Sequence, residues 1–229
     1  AAAAAGTGSA LDGLGVVDGA LPPPCQRALD SLLGYVRSFD GAAALPDAPP
    51  IGAARAVLLT GATGFLGRHF VAYLLERTDV HIETLYCPVR ARDDASARAR
   101  LVAAMASCGL WREELSSRLV VFAGDLAEPS FGASAPLLAE MEGTVDAVYH
   151  FASCLKLAAS FDELRKANCE ALRPVLRLCL TARKKHLFLA STLGIFPQYF
   201  CQFGNEFAER PVGTTAMPRV RETKRLYPL

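Results

Sequence analysis

Val57-Leu-Leu-Thr-Gly-Ala-Thr-Gly-Phe-Leu-Gly67 is the stretch whose reading decides the fold. Ala56 to Thr60 is an apolar run suited to a buried strand, glycines follow it at 61, 64 and 67, and Phe65 to Arg77 has the periodicity of a helix packed on a sheet. In such a strand, turn and helix, Gly61 makes the tight turn and Gly64 lets a pyrophosphate approach the backbone. Gly67 lets helix pack on strand, and the first amides of the helix receive phosphate oxygens. The spacing is GxxGxxG, so the mechanism of the GxGxxG fingerprint carries over while its backbone trace need not. The candidate contacts are Thr60, Gly61, Thr63, Gly64, Phe65, Leu66 and Gly67. A purely structural glycine turn is the competing reading, and the pattern downstream weighs against it.

Working outward, the sequence predicts strands over His81–Arg90, Arg118–Gly124, Thr144–His150 and Lys184–Ala190. It predicts a helix over Ala95–Cys108 and one long helix over Phe161–Arg183, kinked at Pro174. Five strands alternating with helices imply an α/β fold, a Rossmann-like doubly wound parallel sheet with right-handed crossovers. The pattern fades after Thr192, so the sheet is expected to be incomplete at the C-terminus. Upstream, residues 1–50 read as an Ala/Gly/Pro-rich linker carrying a short helix, Gln26 to Val36, with Leu29, Leu32, Leu33 and Val36 on one side. Residues 51–229 are expected to form an NAD(P)-binding domain truncated at its C-terminus.

At the end of the second strand, where a carboxylate would favour NAD, the chain has Arg90, with Arg92, Arg98 and Arg100 nearby. A guanidinium there can grip a 2′-phosphate bidentately, which selects NADPH, with Arg90 the first choice and Arg100 the second. Surface arginines without a ligand are the alternative. Asp125, Leu126 and Ala152 follow the third and fourth strands at the same edge of the sheet and join the cofactor set by position. Asp125 can equally cap its own turn.

Composition narrows the class. The 229 residues hold 24 Lys+Arg against 23 Asp+Glu and are 52% hydrophobic and 21% charged, which argues against disorder throughout and against a dominantly electrostatic grip on nucleic acid. Seven cysteines form neither a CxxC pair nor a cluster with His, so no metal is expected and a reduced cytosolic or plastid-like interior is preferred. No run approaches the roughly 18 apolar residues of a membrane span.

From Ala56 to about Pro197 the chain resembles the extended short-chain dehydrogenase/reductase superfamily. More narrowly, it resembles the terminal thioester reductase domains of polyketide and non-ribosomal peptide synthetases and of carboxylic acid reductases. The resemblance rests on the glycine stretch, Cys87-Pro-Val-Arg-Ala91 with Arg100-Leu101, Gly109-Leu-Trp111, Gly124-Asp-Leu126, Val148-Tyr-His150, Ala167-Asn168 and Ser191-Thr-Leu-Gly-Ile-Phe196, in that order. Fatty acyl reductases share the outline. The resemblance implies NADPH-dependent reductive release of an acyl thioester as an aldehyde, with possible further reduction to an alcohol. The thioester would be presented by an acyl-phosphopantetheine carrier domain or as acyl-CoA.

It also implies that Thr192, with Ser191 as alternate, hydrogen-bonds the thioester carbonyl while a tyrosine donates the proton. Tyr227-Pro-Leu229 resembles the opening of the family's Tyr-Pro-x-Ser-Lys segment, whose lysine would fall four positions after Tyr227 and beyond Leu229. On this reading the chain stops inside the catalytic motif, which leaves its own catalysis in doubt. Asn168, the asparagine of the long helix, is either an organiser of the active-site network or an N-cap. The alternatives are an NADP-dependent sugar epimerase or dehydratase, and a noncatalytic dinucleotide-binding scaffold.

Overall fold

A computed structural model describes residues 23–39, 41–79, 81–156 and 159–191. The chain divides into two units, Ala1–Leu189 and Ala190–Leu229, and the sheet lies wholly in the first. Its strands are β1 (Ala56–Thr60), β2 (Thr84–Val89), β3 (Leu119–Ala123), β4 (Ala147–His150) and β5 (His186–Leu189), all parallel, in the order β3-β2-β1-β4-β5. That is the parallel α/β sheet of a Rossmann dinucleotide-binding fold.

β1 is buried at every position because helices cover both faces of the sheet. Alternate residues build two cores. Val57, Leu59, Leu85 and Cys87 pack with Val71, Leu75, Leu101 and Met105 of α2 (Phe65–Glu76) and α3 (Asp94–Ala106). Leu58, Tyr86 and Val148 pack on the opposite side with Met141, Val175 and Leu178 of α4 (Ala135–Thr144) and α6 (Leu172–Cys179). Where Tyr86 must bury a hydroxyl in that second core it donates to Glu140 at 2.6 Å, and burial pushes it up to about 12.

The structure corrects several expectations. The single helix over 161–183 is instead α5 (Phe161–Arg165), a π turn (Lys166–Glu170) and α6, ending at Cys179. Pro174 is the physical reason: it has no N–H for the Glu170 carbonyl and its ring crowds that turn, so the break falls one turn upstream and the Ala171 amide reaches back to Lys166 at 3.1 Å. The leading helix α1 begins earlier than expected, at Pro23, and runs to Arg37. Its Leu29, Leu33 and Val36 remain more than a third exposed. Arg173 holds it, donating to Ser31 Oγ at 2.7 Å with its guanidinium over the Tyr35 ring. α4 was not foreseen. Gly109-Leu-Trp111 ends α3: Gly109 takes a left-handed φ of 68° while the Leu110 amide bonds the Met105 carbonyl. No helix among the described residues is long and apolar enough to cross a membrane.

Candidate dinucleotide-binding site

With all strands parallel, Thr60, Val89, Ala123, His150 and Leu189 end at one edge of the sheet. After β1 the chain crosses to β2 on one side and later returns to β4 on the other. The crevice between β1 and β4 is therefore the topological switch point, where open α/β sheets take their ligands.

The glycine turn sits in that crevice. Gly61 has φ 75°, and a Cβ there would lie 2.7 Å from the Ala152 amide nitrogen and 2.8 Å from the Phe151 carbonyl carbon. A Cβ on Gly67 would lie 2.1 Å from the Gly61 carbonyl oxygen, so only glycine lets α2 close on β1. Gly64 has an ordinary φ of −72° and caps α2 without a side-chain hydrogen bond, and the first turn carries no acidic residue. Beyond it the amides of Phe65, Leu66 and Gly67 make no hydrogen bond to the described residues. A helix end with free amides and no cap attracts an anion. The side chains of Phe65 and Leu66 are exposed beside it.

Beneath the turn lies a buried polar knot. Thr60 Oγ1 stands 2.8 Å from His150 Nδ1 and accepts the Ala152 amide at 3.3 Å. The Ala152 N–H is thereby used within the protein. Burial holds the His150 imidazole below its ordinary range. Its role here is packing and hydrogen bonding.

The other candidates gather at the ends of β2 and β3, around an open groove of roughly 720 Å³ lined by Arg90, Asp94, Ala123, Asp125, Ser134 and neighbours. Arg90 is exposed immediately after β2. Arg100 points into the backbone, donating to the Arg90 carbonyl at 2.7 Å, and Arg92 is paired with Asp93 at 2.9 Å. Asp94 accepts the Ala123 amide at 2.8 Å and so ties α3 to the end of β3. Asp125 accepts the Ala127 amide at 2.9 Å, the capping geometry weighed from sequence, and Leu126 is half-buried against the second core.

Sequence reading missed the wall formed by residues 131–137. There buried Phe131 and Gly132 adopt φ values of 60° and 76°, and Ser134 caps α4. A positive φ on a phenylalanine is strained, and the fold of the loop over Gly124 imposes it: a Cβ on Gly124 would meet the Phe131 carbonyl oxygen at 2.6 Å.

Asn168 lies in the π turn and is not an N-cap; Ser160 caps α5, with Glu163 closing a capping box. The Asn168 amide clasps Cys154 at both ends, accepting from its N–H at 2.7 Å and donating to its carbonyl at 3.0 Å. That fixes the loop leaving β4. Thr192 and Tyr227 lie outside the described residues, and Ser191 is exposed. Among the described residues no group of His, Cys, Asp and Glu is placed to hold a metal.

Comparison with known proteins matches residues 59–225 to the NAD-binding family described as male sterility protein. The chain is 36% identical over 162 residues to the carboxylic acid reductase of Mycobacterium tuberculosis, covering 68% of this chain and 14% of that protein. It is 36% identical over 142 residues to a linear gramicidin synthase of Brevibacillus parabrevis, covering 62% of this chain and 3% of that one. Among solved structures, the reductase (R) domain of a non-ribosomal peptide synthetase from Mycobacterium tuberculosis superposes with a TM-score of 0.60 at 37% identity, over 71% of this chain and 38% of that chain. The chain thus spans 14% or less of these two curated relatives' length.

Proposed function

Because this chain belongs to the NAD-binding family described as male sterility protein, we propose that it is the dinucleotide-binding part of an NADPH-dependent reductase. Its substrate is an acyl thioester carried on the phosphopantetheine arm of a carrier domain or on CoA, released as an aldehyde and open to further reduction to an alcohol. The observation that carries this reading is the uncapped first turn of α2, whose Phe65, Leu66 and Gly67 amides lack acceptors among the described residues at the switch point of the sheet.

The residues present fit the group. Gly61 and Gly67 clear the space that a Cβ would fill, and the amides of Phe65, Leu66 and Gly67 bind the pyrophosphate. Arg90 binds the 2′-phosphate while Arg100, bonded to the Arg90 carbonyl, holds that strand end in place. Asp125, Leu126 and Ala152 wall the adenosine half. When bound, NADPH supplies the hydride that reduces the thioester carbonyl. Thr192 hydrogen-bonds that carbonyl and Tyr227 delivers the proton, both assignments resting on the family resemblance.

The test is made in the natural chain that contains these residues. It is incubated with NADPH and either an acyl-loaded carrier domain or acyl-CoA, and the aldehyde is trapped as a hydrazone. NADPH oxidation matched by trapped aldehyde supports the proposal. Hydrolysis to free acid without NADPH oxidation, or turnover of sugar nucleotides instead, overturns it.

A further inference from the structure

We propose that His150 is a positioning residue for the glycine turn: hydrogen-bonded to Thr60, it ties the ends of β1 and β4 so that Gly61 is held in its binding form, and protonation of the imidazole loosens that tie. The inference rests on the turn being a dinucleotide site.

Thr60 and His150 are register partners across β1 and β4, and both are buried, at 0% and 2% exposure. Three links close the strand ends just beyond them. The Phe151 amide donates to the Thr60 carbonyl at 3.2 Å, the Ala152 amide donates to Thr60 Oγ1 at 3.3 Å, and that oxygen lies 2.8 Å from His150 Nδ1. Gly61 is pressed on the same two residues, with room for no Cβ against the Ala152 nitrogen. Any movement of Phe151 and Ala152 is therefore felt by the turn.

The hydroxyl already accepts the Ala152 N–H, so its own proton needs an acceptor, and among the described residues unprotonated Nδ1 is the side-chain acceptor within reach. A charged imidazole carries a proton on both nitrogens. Nδ1–H can then only donate to the hydroxyl's remaining lone pair, and the Thr60 hydroxyl proton loses its acceptor in a buried site. Among the described residues the charged side chains of α4 and α6 are engaged elsewhere, Glu140 with Tyr86, Glu142 with Arg177 and Arg173 with Ser31, and burial lowers the imidazole's proton affinity.

The experiment titrates the 229-residue chain with NADPH at about pH 7.5 and pH 5.5, comparing wild type, His150→Asn and His150→Phe. Asparagine keeps an acceptor near the Nδ1 position and cannot be protonated there. The cofactor's own 2′-phosphate titrates in the same range, so the readout is the difference between proteins. Wild type is expected to lose about tenfold more affinity on acidification than His150→Asn, and His150→Phe to bind about tenfold more weakly already at the higher pH. Equal acid loss in wild type and His150→Asn, or wild-type binding by His150→Phe, overturns the inference.

Hydrogen exchange at the Ala152 amide without ligand separates this idea from the functional reading. If wild type binds no dinucleotide yet its amide opens on acidification and that of His150→Asn does not, the reading of the site fails and the tie stands. If neither amide opens, the tie fails. Should His150→Phe not fold, Thr60→Val against Thr60→Ser makes the same comparison, with binding expected to survive only where the hydroxyl is kept.

Discussion

Replacing Gly67 by alanine tests the packing that brings α2 onto β1. The added Cβ would lie 2.1 Å from the Gly61 carbonyl oxygen and 2.8 Å from both Ala62 Cα and the Gly61 carbonyl carbon. Ordinary carbon–oxygen contact begins near about 3.3 Å, so the overlap with oxygen exceeds about 1 Å. All three atoms are backbone and cannot swing aside. Overpacking of this kind costs about 3 kcal/mol, at the upper end of its usual range, and the better helix propensity of alanine returns at most about 1 kcal/mol. The net loss of about 2–3 kcal/mol lowers Tm by about 5–10 °C in a chain of this length, read by circular dichroism. Gly64→Ala is the control: its Cβ lies 3.2 Å from the same oxygen at an ordinary φ of −72°, so Tm is expected within about 2 °C of wild type. A Gly67→Ala protein melting with wild type would refute the packing argument.

Asp146→Ala strips a buried carboxylate that accepts the Arg55 and Ala56 amides at 2.8 and 3.2 Å and pairs with Arg183 at 2.8 Å. Urea unfolding is expected to show a loss of about 3–5 kcal/mol. Lys185, 8% exposed and donating to the Thr181 carbonyl at 2.6 Å, is lowered to about 8 by burial. Between pH 8 and its unfolded value of 10.5 the unfolded chain holds the extra proton, so wild type should gain stability with rising pH relative to Lys185→Met. Parallel unfolding curves at the two ends of that window check the sign, and a wild-type loss contradicts it. Asn168→Ala removes both bonds to Cys154. It should cost about 2 kcal/mol and speed amide exchange in the loop after β4, with α2 unaffected.

The strands and the glycine turn were legible because each is a local pattern. An apolar run bounded by glycine needs no partner to be read, and the alternation with helices fixed the class. α4 was hidden because Ala135–Thr144 is short, contains Pro136 and Gly143, and buries only Met141, too weak a period to stand out. The break before Pro174 follows from proline chemistry, but its displacement into a π turn depends on which carbonyl loses its donor. Asp125 shows the local cap that was one of its sequence readings, at a position beside the sheet edge. The Thr60–His150 pair was beyond reach. Its partners are 90 residues apart, and only the β1–β4 register brings a hydroxyl and an imidazole together.

The central claim, an NADPH site at this sheet edge, is tested most directly by calorimetric titration of wild type and Arg90→Ala with NADPH and NADH side by side. The arginine is exposed at the end of β2 with its carbonyl held by Arg100. Its loss should weaken NADPH by about tenfold, as expected for a charge-assisted hydrogen-bonded contact, and leave NADH unchanged, so that the two cofactors converge. Equal affinities in wild type, or tighter binding of NADH, would contradict the account.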